Sequence, residues 1–206
     1  MVDSKAIIGE LEKTLKPVKI PVKTENVIYV LDFDGVCVYN AVDGIDKSHV
    51  KKDDFKYFFA DYAKQVTALN PAIVRFIKEL NENNVPIYIL TGRTRILLGD
   101  FTESLLNKEY EIDNEKLKIK IDKNKIIYFP EKADPDNYFS WKSGVIDKLL
   151  KDNQEKEVCF IDDDKKLLNT VNETINSNRL NLIYYKYSKT GYEELEELPK
   201  ILETNC

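Results

Sequence analysis

Two carboxylates stand one residue apart in Asp32-Phe33-Asp34, directly after the apolar run Val27-Ile28-Tyr29-Val30-Leu31 and directly before Gly35. A buried strand that ends this way exposes a nucleophile and a second acid at the lip of a sheet, an arrangement suited to phosphoryl chemistry. By itself the pentapeptide is a weak signal, because acids and glycine also make ordinary strand-to-loop turns. Its weight comes from three later features in a set order. Ile87-Tyr88-Ile89-Leu90 ends in Thr91-Gly92-Arg93, Trp141-Lys142 opens an amphipathic segment, and Val158-Cys159-Phe160-Ile161 ends in Asp162-Asp163-Asp164.

Ligands of open parallel α/β sheets bind beyond the carboxyl ends of the strands, so these three strand ends are expected to converge on one crevice. The ordered set DxDGV, Thr, Lys, DD resembles the haloacid dehalogenase (HAD) superfamily, whose members are mostly Mg²⁺-dependent phosphatases. The resemblance runs from about Val27 to about Tyr187. Response-regulator receivers combine similar residues, but there the acid pair comes first and the Lys last. Here Lys142 precedes the second acidic cluster.

The resemblance implies a role for each position. Asp32 would be the nucleophile and Asp34 the general acid and base, which favours a phosphatase over a dehalogenase. Thr91 would donate to a phosphoryl oxygen, and Lys142 would neutralise charge on the transferring group. Lys148, Lys132 or a lysine of a basic strand remain alternatives to Lys142. Gly35 would let the chain turn beside the phosphate. Gly92 belongs to the same substrate-binding loop, and Arg93 is either a phosphate fork or a surface salt bridge. Two carboxylates facing a phosphate dianion call for a hard cation, and Mg²⁺ fits best. Its ligands would be the Asp32 side chain, the Asp34 carbonyl and Asp162, with Asp163 acting through water or from behind the ligands. Asp164 is either part of that set, shifted by one residue, or the cap of the next helix.

The elements around these residues follow from periodicity. Residues 4–15 carry Ile7, Ile8, Leu11 and Leu15 near helical spacing, which predicts a helical extension over residues 1–24. Asn70-Pro71 marks a helix start, and Ile73, Phe76, Ile77 and Leu80 follow on one face. Helices are also expected over residues 94–106, 140–150 and 164–175. A last strand, Leu182-Ile183-Tyr184-Tyr185, precedes an acidic tail at residues 193–197. Lys116, Lys118 and Lys120 alternate with Leu117, Ile119 and Ile121, giving a strand with a basic face. Residues 122–125 then lead to Ile126-Ile127-Tyr128-Phe129, either as a hairpin or as a passage to a further sheet strand. Phe55, Tyr57, Phe58, Phe59 and Tyr62 form either core or a cover for the site.

The expected fold is therefore α/β, a three-layer Rossmann-like (HAD-like) domain with a mainly parallel sheet and helices on both faces. At 206 residues the chain suits one domain, with residues 37–68 and 107–139 as small cap or lid insertions. A net charge of −5 disfavours a general nucleic-acid binder. Three unpaired cysteines and one His exclude a disulfide framework and a zinc site. With no apolar stretch of membrane length and no secretion signal at Met1-Val2-Asp3-Ser4-Lys5, the expectation is a cytoplasmic protein without membrane partners. A capless site admits a small phosphorylated metabolite, a nucleotide or a polynucleotide end, or is closed by a second subunit in a homo-oligomer. The rival from another class is a catalytically silent module that binds phosphate or a protein.

Overall fold

A computed structural model describes residue 20 and residues 22–39, 55–66, 68–188 and 193–198; the helix expected within the first 24 residues lies outside them. Among the described residues, eight strands and five α-helices follow in chain order. They are β1 Val27–Leu31, α1 Phe55–Ala63, α2 Pro71–Glu82, β2 Ile87–Thr91, α3 Arg95–Leu105, β3 Glu109–Ile112 and β4 Glu115–Lys118, then β5 Ile126–Tyr128, α4 Tyr138–Asp152, β6 Glu157–Asp162, α5 Lys165–Thr174, β7 Leu180–Tyr187 and β8 Glu193–Glu197.

Six strands form one sheet in the order β5-β2-β1-β6-β7-β8, parallel except for the antiparallel edge strand β8. Every residue of β1 is buried, as a central strand covered on both faces requires. Its alternation divides the core. Val27, Tyr29 and Leu31 pack with Ile73, Phe76, Ile77 and Leu80 of α2, whereas Ile28 and Val30 pack with Ile146 and Leu149 of α4 and with Leu167, Leu168 and Val171 of α5. The result is the three-layer α/β arrangement that the sequence predicts.

Local chemistry sets the helix limits. Asn70 Oδ1 accepts from the Ala72 amide at 2.9 Å and Pro71 occupies the first turn, where its missing N–H costs nothing. Thr94 stands just outside α3 rather than within it, and Ile96 projects into solvent with 80% of its surface exposed. The basic strand β4 pairs with β3, an acidic partner absent from the expected elements, through a turn in which Asp113 and Asn114 both have positive φ. Residues 122–125 are a passage: β5 joins the main sheet parallel to β2. The acidic segment at residues 193–197 is a strand rather than a tail.

Strand order reverses between β1 and β6. From β1 the chain moves outward to β2 and β5, then returns to β6 on the other side and continues to β7. A crevice beyond the carboxyl ends of the strands forms at such a switch point. Leu31 and Ile161 are register partners, and the Asp32 amide donates to the Ile161 carbonyl at 2.9 Å. Asp32 and Asp162 therefore emerge side by side.

Candidate active site

Lys142, in the second turn of α4, is the hub of the site. Its Nζ donates to Asp32 Oδ1 at 2.9 Å and to Asp162 Oδ2 at 2.7 Å, and all three side chains are buried. Of the alternative lysines, Lys132 lines a neighbouring cavity with Arg93 and Tyr138, and the others lie elsewhere. Lys148 pairs with Asp152 on the outer face of α4, and Lys116 pairs with Glu109 across the β3–β4 hairpin. Lys120, Lys123 and Lys125 border a cavity beside Val85 and Ile87, at the amino end of β2. That position is opposite the strand ends bearing Asp32 and Asp162, which leaves these lysines no part in steering a substrate there.

Carboxylate oxygens of Asp32, Asp162 and Asp163 lie within 4.8 Å of one another. Asp164 points away and caps α5, accepting from the amides of Lys166 at 2.9 Å and Leu167 at 3.1 Å. It also positions Asp162, because its own amide donates to Asp162 Oδ1 at 2.9 Å. Gly35 makes the third carboxylate fit. A Cβ at Gly35 would stand 2.0 Å from Asp163 Oδ2, and Gly35 has φ +95°, which an L side chain rarely adopts. The glycine thus serves both the turn and the approach of Asp163 to it.

Charge in this cluster is unbalanced. Burial pushes the Asp32 carboxyl well above the usual carboxylate range; Lys142 opposes that shift, and Asp162 and Asp163 add to it. Burial works against the Lys142 ammonium, but Asp162 and Asp32 outweigh it and hold the lysine charged. Among the described residues three carboxylates and one ammonium meet in this cluster, an excess of negative charge that a cation would relieve. Hard oxygen donors at this spacing suit Mg²⁺, and neither thiolate nor imidazole belongs to the group.

Asp34 stands outside that cluster and meets Arg93 instead. Arg93 Nε and Nη2 each donate at 2.8 Å, to Asp34 Oδ2 and Oδ1 respectively, while Nη1 donates to Thr102 Oγ1 at 3.0 Å. The guanidinium carbon lies 4.4 Å from the centroid of the Phe33 ring. Arg93 is therefore neither a surface pair nor a fork open to phosphate. It is a buried clamp on Asp34. The strand end of β2 contributes to the same unit, since Thr91 Oγ1 accepts from the Arg93 amide at 3.1 Å and keeps its own hydrogen to donate.

Three contributors escaped the sequence reading. Phe33, between the two acids, is the floor beneath Arg93. Thr102 is the polar residue in the buried face Leu98, Thr102, Leu105 of α3, and a lone hydroxyl in an apolar stripe was the available signal. Tyr138 presents its ring 4.9 Å from Lys142 Nζ and against Gly92, where a Cβ would come within 3.1 Å of it. Burial pushes its phenol upward, so it is neutral at physiological pH.

Among the described residues, α1 packs through Ala60 and Ala63 on Leu98 of α3, and no helix is long and apolar enough to cross a membrane. Comparison with known protein families and with curated proteins gives no match, so the chemistry of the site has to be argued from its geometry.

Proposed function

We propose that this chain is a Mg²⁺-dependent phosphatase of the HAD type, hydrolysing a phosphate monoester through an aspartyl-phosphate. The observation that carries this reading is Lys142 bridging Asp32 and Asp162 beside Asp163, at the switch point of a parallel sheet. Burying two acids against one lysine with a third acid beside them is costly without a cation.

In the proposed reaction an oxygen of Asp32 attacks phosphorus and the bond from phosphorus to the leaving oxygen breaks, with Asp34 giving that oxygen a proton. Asp34 then takes a proton from water as the water attacks the aspartyl-phosphate, releasing inorganic phosphate and restoring Asp32. Lys142 and the Thr91 hydroxyl stabilise charge on the transferring group, and Arg93 holds Asp34 in one orientation. Mg²⁺, held by Asp32, Asp162 and Asp163 with the Asp34 carbonyl, would supply the charge neutralisation that lets a phosphate dianion approach.

Free, buried Cys37 and Cys159 are compatible with a reducing compartment, and we assign the protein to the cytoplasm on that ground. The test is hydrolysis of para-nitrophenyl phosphate with Mg²⁺, with EDTA, and by Asp32→Asn. Metal-dependent turnover that the variant loses supports the reading. Absence of turnover from folded protein that binds Mg²⁺ would point instead to a highly selective enzyme or to a phosphate-binding module.

A further inference from the structure

Beside the acidic centre lies a cavity of about 880 Å³, within the range of roughly 300–1,000 Å³ common for small-molecule sites. Its walls are mainly apolar: Phe59 of α1, Leu97 and Leu98 of α3, and Phe129 and Tyr138. The aromatic side is braced. Phe129 meets Tyr138 edge-on with centroids 5.6 Å apart, and Trp141 meets Phe129 at 5.1 Å and 85°.

The cavity adjoins the proposed chemistry. Gly92 and Arg93 line it, and Tyr138 is a shared wall, with its ring 4.9 Å from the Nζ that bonds Asp32. Thr94 also lines it, and its Oγ1 is buried with no hydrogen-bond partner among the described residues. This hydroxyl does not cap α3, whose Ile96 amide donates to Glu131 instead. That hydroxyl is shut off from the cavity surface, so the wall meets a ligand through apolar and aromatic atoms. Around the rim Glu131 and Asp134 outnumber Lys132, which disfavours a polyanionic chain.

We infer that this cavity receives the leaving group, and that the substrate is a nucleoside monophosphate rather than a sugar phosphate or a polynucleotide end. The inference rests on the phosphatase reading. It joins a phosphate at the strand ends to a flat ring against Phe59, Phe129 and Tyr138.

The test compares kcat/KM, with Mg²⁺, for adenosine 5′- and 3′-monophosphate, ribose 5-phosphate and a 5′-phosphorylated oligonucleotide. The better adenosine monophosphate should exceed ribose 5-phosphate by roughly 10- to 100-fold, since only the base differs in kind. That ratio should fall toward one in Phe59→Ala. Ribose 5-phosphate or the oligonucleotide serving as well as the nucleotide would overturn the inference while leaving the phosphatase reading intact. If no ester is hydrolysed, that reading has failed and the cavity is judged alone by titrating adenosine against the fluorescence of Trp141, the only tryptophan in the chain. A saturable change weakened in Phe59→Ala would keep the cavity as a nucleoside site, and a flat titration would dismiss it.

Discussion

Arg93 grips both carboxylate oxygens of Asp34 at 2.8 Å, although the two residues stand at the ends of different strands and are 59 positions apart. The pair is held from below by Phe33 and from the side by Thr102, so Asp34 has one available orientation. A general acid gains from such fixation because proton transfer demands hydrogen-bond geometry at the leaving oxygen.

Arg93→Lys keeps the charge and loses the fork. It should lower turnover of an alkyl phosphate roughly tenfold or more, and Asp34→Asn should lower it roughly 100- to 10,000-fold. Both losses should be smaller for para-nitrophenyl phosphate, whose leaving group needs little protonation. Equal losses on the two substrates would show that the pair acts on structure rather than on proton transfer.

Lys142→Met leaves Asp32 and Asp162 buried without their common partner. In EDTA the variant should lose roughly 3–5 kcal/mol of stability in a denaturant titration. Mg²⁺ should recover part of that loss, because a cation at the same carboxylates relieves the same repulsion. A variant as stable as the native chain in EDTA would argue against the charge imbalance.

Gly35→Ala drives a methyl group into the Asp163 carboxylate and forces φ +95° on an alanine. Displacement of one ligand should weaken Mg²⁺ binding by roughly 10- to 100-fold, read by calorimetric titration. Unchanged affinity would place Asp163 outside the metal set.

Alkaline pH should destabilise the protein through a cross-strand pair, Tyr29 of β1 and Cys159 of β6. Burial chiefly pushes the Tyr29 phenol from 10 to about 12, with Cys159, Glu79 and Glu157 adding and the Lys23 amide opposing. It pushes the Cys159 thiol from 9 to about 12, with Glu197 and Glu157 adding and Lys23 opposing. The folded state therefore prefers both groups protonated. Their contribution is complete below pH 9 and is lost as pH rises through about 12, on the order of 2 kcal/mol for Tyr29 and about 4 kcal/mol for Cys159. Cys159→Val removes one of the two titrations and should move the alkaline unfolding midpoint to higher pH. An unmoved midpoint would assign the alkaline loss to other groups.

Strand ends and helix faces were legible because each depends on a few neighbouring residues. The apolar run before Asp32, the Asn70-Pro71 cap and the inward face of α2 are all local patterns. The β3–β4 hairpin was not read from the sequence: β3 was absent from the expected elements, although Glu109 and Glu111 stand opposite Lys118 and Lys116. By contrast, Glu-Glu-Leu-Glu-Glu carries no strand signal of its own. It becomes β8 because the open edge of β7 supplies hydrogen bonds to it.

The sequence by itself determined the order of the chemical residues and, through periodicity, the α/β layers that set Asp32, Thr91 and Asp162 at strand ends. Only tertiary structure decided which charges meet: Lys142 with Asp32 and Asp162, Arg93 with Asp34, and Asp164 with the start of α5. The physical reason is range. Secondary structure follows from dihedral preferences and side-chain spacing within a few residues, whereas the pairing of buried charges depends on which strands the sheet makes neighbours and on how little water remains between them.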